Sequence, residues 1–72
     1  MNKSVILFHS TNYAIWAENE LKEKNLFSKL ISVPRHLSSD CGYCVEIEAS
    51  DKEMVEKILN TKNIDFEKIV DL

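Results

Sequence analysis

The chain contains one glycine and one proline in 72 residues, and both lie between Pro34 and Gly42. The rest is nearly free of residues that interrupt helices or strands, which leaves no room for linkers, repeats or low-complexity tracts. No apolar run approaches the roughly 20 residues of a membrane span. Met1 to Phe8 is too short a stretch for a signal peptide, so a cytoplasmic protein without a membrane partner is expected. Positive charge is scarce too: nine Lys and Arg against twelve Asp and Glu give a net charge of −3. That balance argues against nucleic acid, whose binding rests on a basic field that displaces counterions. The only two cysteines, Cys41 and Cys44, stand three residues apart. Without an export signal they read as reactive or metal-binding thiols and not as a disulfide framework.

What is present is 44% hydrophobic and 29% charged residues, the makeup of a globular protein. The length allows a single domain spanning 1–72, with about 3 to 5 kcal/mol of net stability. Deep cavities and buried catalytic machinery are not expected, so any chemistry belongs at the surface.

Val5-Ile6-Leu7-Phe8 is an apolar run of strand length. His9 to Asn12 offers N-cap candidates for a helix over Tyr13 to Lys24, with Ala14, Ala17 and Leu21 at helical spacing and Asn25 ending it in place of a glycine. Phe27 to Val33 reads as a second, edge strand that stops at Pro34. Tyr43 to Ala49 alternates, placing Tyr43, Val45, Ile47 and Ala49 on one face and Cys44, Glu46 and Glu48 on the other. Ser50 to Glu53 has the form of a capping box, followed by the stripe Met54, Val55, Ile58, Leu59. Phe66 to Leu72 closes the chain as a fourth strand. The order β-α-β-β-α-β points to an α+β, ferredoxin-like split-βαβ fold: a four-stranded antiparallel sheet with two helices on one face.

In the usual strand order of that fold, the loops after the first two strands leave from the same end of the sheet. His9-Ser10-Thr11 and the segment 34–42 are therefore expected as neighbours, with the first helix directing its unpaired N–H groups and dipole towards them. Segment 34–42 is longer than a tight hairpin needs, and it gathers Arg35, His36, Ser38, Ser39 and Cys41. Arg35, His36 and the hydroxyls favour a thiolate at Cys41, while the charge of Asp40 opposes it. Gly42, directly after Cys41, suggests a positive φ or the close approach of a ligand. The plain alternative is a surface loop with an inert thiol and a glycine that only shapes the turn.

Cys41-Gly42-Tyr43-Cys44 also has the C-x-x-C spacing of redox pairs and of half a zinc site. A strand follows it where redox pairs have a helix, and no second pair spaced as H-x3-5-H accompanies it, although His9 and His36 lie at the same end. Cys44 shares its strand face with Glu46 and Glu48, an acidic setting that keeps it a thiol. The same carboxylates speak against an RNA-binding sheet face. His9 has an ordinary reading as a hydrogen-bonded turn residue. Glu18, Glu20, Glu23, Lys22 and Lys24 read as a solvated face in which Glu20 pairs with Lys24. Trp16 lies beside the helix stripe, partly exposed, where it either packs over the helix edge or anchors a partner.

Phe8-His9-Ser10-Thr11 after the first strand, Ala17-Glu18 in the helix, Val33-Pro34-Arg35 and Leu37-Ser38-Ser39-Asp40-Cys41-Gly42 together resemble the small bacterial Se/S carrier protein-like family over almost the whole chain. The resemblance implies a cytoplasmic carrier, closer to relay than to turnover. It would hold sulfur or selenium on Cys41 as a persulfide or selenosulfide, between donor and acceptor proteins and without a cofactor. Arg35, Ser38, Ser39 and Gly42 would surround the sulfur, with His9, Ser10 and Thr11 at the facing strand end. Cys44 and Trp16 lie outside the shared pattern, so a role for Cys44 as a resolving thiol would be a departure from it. Two other classes remain open at this stage: an interaction module in which Trp16 and the acidic sheet face bind a partner or form a weak homodimer, and a zinc or redox site built on both cysteines.

Overall fold

A computed structural model of the chain describes residues 2–37 and 41–72. Its elements are β1 (Lys3–Leu7), α1 (Thr11–Glu23), β2 (Lys29–Ser32), β3 (Tyr43–Glu48), a 3-10 turn (Ala49–Asp51), α2 (Lys52–Thr61) and β4 (Lys68–Asp71). The strands form one sheet in the order β2-β3-β1-β4, with every neighbouring pair antiparallel. Ala14, Ala17 and Leu21 of α1 and Val55 and Leu59 of α2 share one buried cluster with Ile6, Phe8, Val45 and Ile47. Both helices thus cover the same sheet face, the ferredoxin-like α+β arrangement that the element order predicts. The Cα frame is a slab of 29 × 28 × 15 Å. Among the described residues no helix is long and apolar enough to cross a membrane.

β1 is central, and Val5 to Phe8 are all fully buried. Ile6 and Phe8 face the helices. Val5 and Leu7 join Cys44 in a second buried cluster, packed by Ile31, Val33, Leu37 and Val70. An unbroken apolar run is what a strand buried on both faces requires. The second face is therefore not an acidic surface. Glu48 is paired with Lys3 at 2.6 Å, whose ammonium also sits 3.9 Å from the Phe27 ring centre, and Glu46 stands opposite Lys29 in the β2–β3 register.

The two helices end alike. Asn25 and Asn63 adopt left-handed φ values of 62° and 59°. In α1 the Leu26 and Asn25 N–H groups donate to the Leu21 and Lys22 carbonyls; in α2 those of Ile64 and Asn63 donate to Leu59 and Asn60. Each is a Schellman motif, with a core residue on both sides of the turn. Asparagine enters this region more readily than other residues carrying a Cβ, so Asn25→Ala or Asn63→Ala should cost about 1 kcal/mol, while Asn→Gly at either site should cost nothing or stabilise. Urea unfolding of the four variants checks this; equal stability of the alanine and glycine variants would remove the role of backbone conformation.

Several local expectations are corrected. The capping box at Ser50–Glu53 does not form, because Ala49–Asp51 turns as a 3-10 segment and Asp51 takes the N-cap position without a side-chain bond. Met54 lies outside the buried stripe, which centres on Val55 and Leu59 with Ile58 half-buried beside them. β1 begins at Lys3, α1 begins at Thr11 and ends at Glu23, and β2, β3 and β4 are shorter than the sequence reading drew them. Glu20 pairs with Lys62 at 3.6 Å, not with Lys24. Glu18 is not merely solvated: its carboxylate accepts the Leu30 N–H at 2.9 Å and pairs with Lys22, and its carbonyl accepts the Ser28 hydroxyl. This occupies an outward N–H of β2, the kind of unpaired edge group that otherwise invites strand addition.

At the far end of the sheet β4 is held similarly. The Asp71 carboxylate accepts from the Ser4 hydroxyl and the Lys52 ammonium, both at 2.7 Å. These bonds, Lys52 first, hold its carboxyl below the usual aspartate range.

Candidate functional site

β1 and β2 run in the same direction, each antiparallel to β3. Leu7 stands opposite Cys44 and Ser32 opposite Tyr43. The segment after β1, the segment after β2, the entry to β3 and the start of α1 therefore meet at one end of the sheet, as the topology predicts. Ser10 occupies the N-cap position of α1 with extended backbone and no side-chain cap bond. Thr11 is the first helical residue, and His9 stands exposed between β1 and the helix.

The β2–β3 ladder continues one step past both strands, with the Val33 N–H donating to the Gly42 carbonyl at 3.1 Å. Pro34 then begins a turn closed by the Leu37 N–H on the Pro34 carbonyl at 3.0 Å. Arg35 and His36 are exposed on it. Val33 and Leu37 fold back against Val5, Leu7 and Cys44, so part of the long loop serves as cover for the sheet face that lacks helices. Ser38, Ser39 and Asp40 lie outside the described residues.

Cys41 is half-buried and packs against the helix-side cluster. Its thiol donates to the Tyr43 carbonyl at 2.8 Å, and the Tyr43 N–H donates back to the sulfur at 3.3 Å. A sulfur accepting the N–H two residues on is the thiol counterpart of an Asx or Ser/Thr turn. Gly42 makes it feasible with φ of 77°. No atom of the described residues lies within 4 Å of where a Gly42 Cβ would stand, so it is the backbone conformation, and not packing against the chain, that calls for glycine. Once the sulfur bears a negative charge or a further chalcogen atom, the N–H is the contact that remains favourable.

Cys44 differs in every respect. It is fully buried among Val5 and Leu7, and its sulfur lies 3.9 Å from the Ser32 carbonyl oxygen. Burial above all, then the Cys41 sulfur and Glu46, push its pKa up to about 11. It stays a thiol, as its neighbours on the strand suggest, but withdrawal from water outweighs the acidic setting.

Two features escaped the sequence reading: the Tyr43 backbone as partner of the Cys41 sulfur, and Leu37 as a half-buried loop residue packed against the sheet. A leucine in an otherwise polar loop was the available signal for the second. Trp16 stacks on Tyr13 with ring centres 6.2 Å apart, and both remain more than a third exposed. Among the described residues no three His, Cys, Asp or Glu side chains are grouped to hold a metal ion.

A ferredoxin-like sheet that presents one accessible cysteine beside a left-handed glycine, where its hairpin opens, defines a small α+β protein with a single accessible thiol. The model of the family described as "Putative Se/S carrier protein-like" matches residues 3–71. The chain belongs to that family. No curated protein and no solved structure matches it.

Proposed function

We propose that this protein carries a sulfur or selenium atom on Sγ of Cys41 and passes it between proteins. A donor presents the atom as the outer member of a persulfide or selenosulfide. The Cys41 thiolate attacks that outer atom, the bond to Cys41 forms as the donor's own bond to it breaks, and the donor departs as a thiolate. Nothing is oxidised or reduced overall. The carrying observation is the Cys41 sulfur itself, reachable from solvent and bonded to the Tyr43 N–H in a chain that belongs to a family named for Se/S carriage. Gly42 shapes that contact. In this reading Arg35, Ser38 and Ser39 stabilise the terminal anion, together with His9, Ser10, Thr11 and the N-terminus of α1.

Incubation with cysteine persulfide, followed by intact-protein mass spectrometry, tests the proposal. The natural sequence should gain one sulfur, Cys41→Ser none, and Cys44→Ala one. Loading that survives in Cys41→Ser and vanishes in Cys44→Ala would overturn the assignment.

A further inference from the structure

Two cysteines three residues apart invite an internal route for release. In that route the Cys44 thiolate attacks the inner sulfur of loaded Cys41, a Cys41–Cys44 bond forms, and the chalcogen leaves as hydrosulfide or hydroselenide. The protein is then left oxidised and needs a reductant before the next load.

The two sulfurs belong to different packing clusters. Cys41 packs with the cluster under the helices, Cys44 with the cluster on the opposite face. Cys41 lies before β3, on the turn at Gly42 with φ of 77°, and a disulfide would require its Cβ and that of Cys44 to converge to about 4 Å. Cys44 is fully buried, opposite Leu7 in the register and packed round by Ile31, Val33 and Leu37. The sulfurs also address different backbone groups, those of Tyr43 and Ser32. Attack would in addition need a thiolate that burial withholds.

Building on carriage at Cys41, we infer that release is an intermolecular exchange in which the acceptor supplies the attacking thiolate and Cys44 takes no part. The acceptor thiolate attacks the outer atom, a bond forms between the acceptor's sulfur and that atom, and the bond to Cys41 breaks. Cys41 leaves as a thiolate, ready for the next load. The cycle is redox-neutral, so the partner it calls for is a thiol-bearing acceptor and not a disulfide reductase.

Two measurements test this. In the first, the unloaded folded protein is oxidised with diamide in the presence of glutathione. The expected product is a glutathione adduct on Cys41; a monomer with an internal Cys41–Cys44 disulfide would overturn the inference. In the second, protein loaded from cysteine persulfide is desalted and either held alone or given reduced glutathione as the acceptor. The natural sequence and Cys44→Ala should hold the sulfur equally when alone and release it to glutathione at rates within about twofold. Spontaneous loss from the natural sequence, but not from Cys44→Ala, would overturn the inference. Absence of any load on Cys41 overturns carriage and this inference together, whereas an internal disulfide in the diamide arm overturns the inference alone.

Discussion

N-Ethylmaleimide added to the folded protein at about pH 8 should give a single adduct, on Cys41, with the second appearing only when the chain is unfolded. The thiolate is the nucleophile, and with its pKa pushed up to about 11 Cys44 is ionised in about one molecule in a thousand at that pH. Complete burial adds a steric barrier in the same direction. Peptide mapping after brief treatment should find Cys44 unmodified, and modification of both residues at similar rates would contradict the placement of Cys44. The same burial has a pH signature. A folded-state pKa raised from 9.0 to about 11 means that the unfolded chain releases this proton first. The associated stability is intact below about pH 9 and is lost progressively as pH rises towards 11. Denaturant midpoints measured across that range should fall for the natural sequence more than for Cys44→Ala.

The second large effect is expected at Gly42. At φ of 77° an L side chain strains the backbone even though its Cβ would meet open space, so Gly42→Ala should cost about 1–2 kcal/mol. In a domain of this size that lowers the melting temperature by about 5–10 °C. Relief of the strain would swing the Tyr43 N–H away from the Cys41 sulfur, so loading from cysteine persulfide should slow as well. Gly42→Asn, better suited to the left-handed region, should recover part of both effects. Thermal denaturation followed by circular dichroism, together with the loading assay, reads the two consequences. Unchanged loading in a destabilised Gly42→Ala would separate the turn from the chemistry.

Features that depend on residues close in sequence were legible in it. The run Val5 to Phe8, the stripe Ala14, Ala17, Leu21 and the helix stop at Asn25 each follow from local pattern, and the positive φ of Gly42 follows from its being the only glycine, placed against a cysteine. Features that depend on how distant parts meet were not. Glu18 reads as one more charge on a solvated helix until β2 places the Leu30 N–H within its reach. Glu46 and Glu48 read as an acidic face until Lys29 and Lys3 arrive opposite them on neighbouring strands. Cys44 reads in the sequence as a thiol that stays protonated, yet the main cause, burial between Val5 and Leu7 under residues that include Val33 and Leu37, requires the tertiary fold. The capping box failed for a local reason: the spacing was present, but the chain enters α2 through a tight 3-10 turn that moves the cap position to Asp51.

The slab that carries the sheet is small enough to limit how its sulfur can be served. A protein contact of ordinary size covers about 800 Å² on each partner, and the whole accessible surface here is 4495 Å². One such contact centred on Cys41 would occupy about a fifth of the molecule. Two visitors that both reach the same atom therefore claim the same ground and exclude each other. Under that geometry traffic through Cys41 is strictly sequential, and its pace is governed by how quickly each visitor lets go.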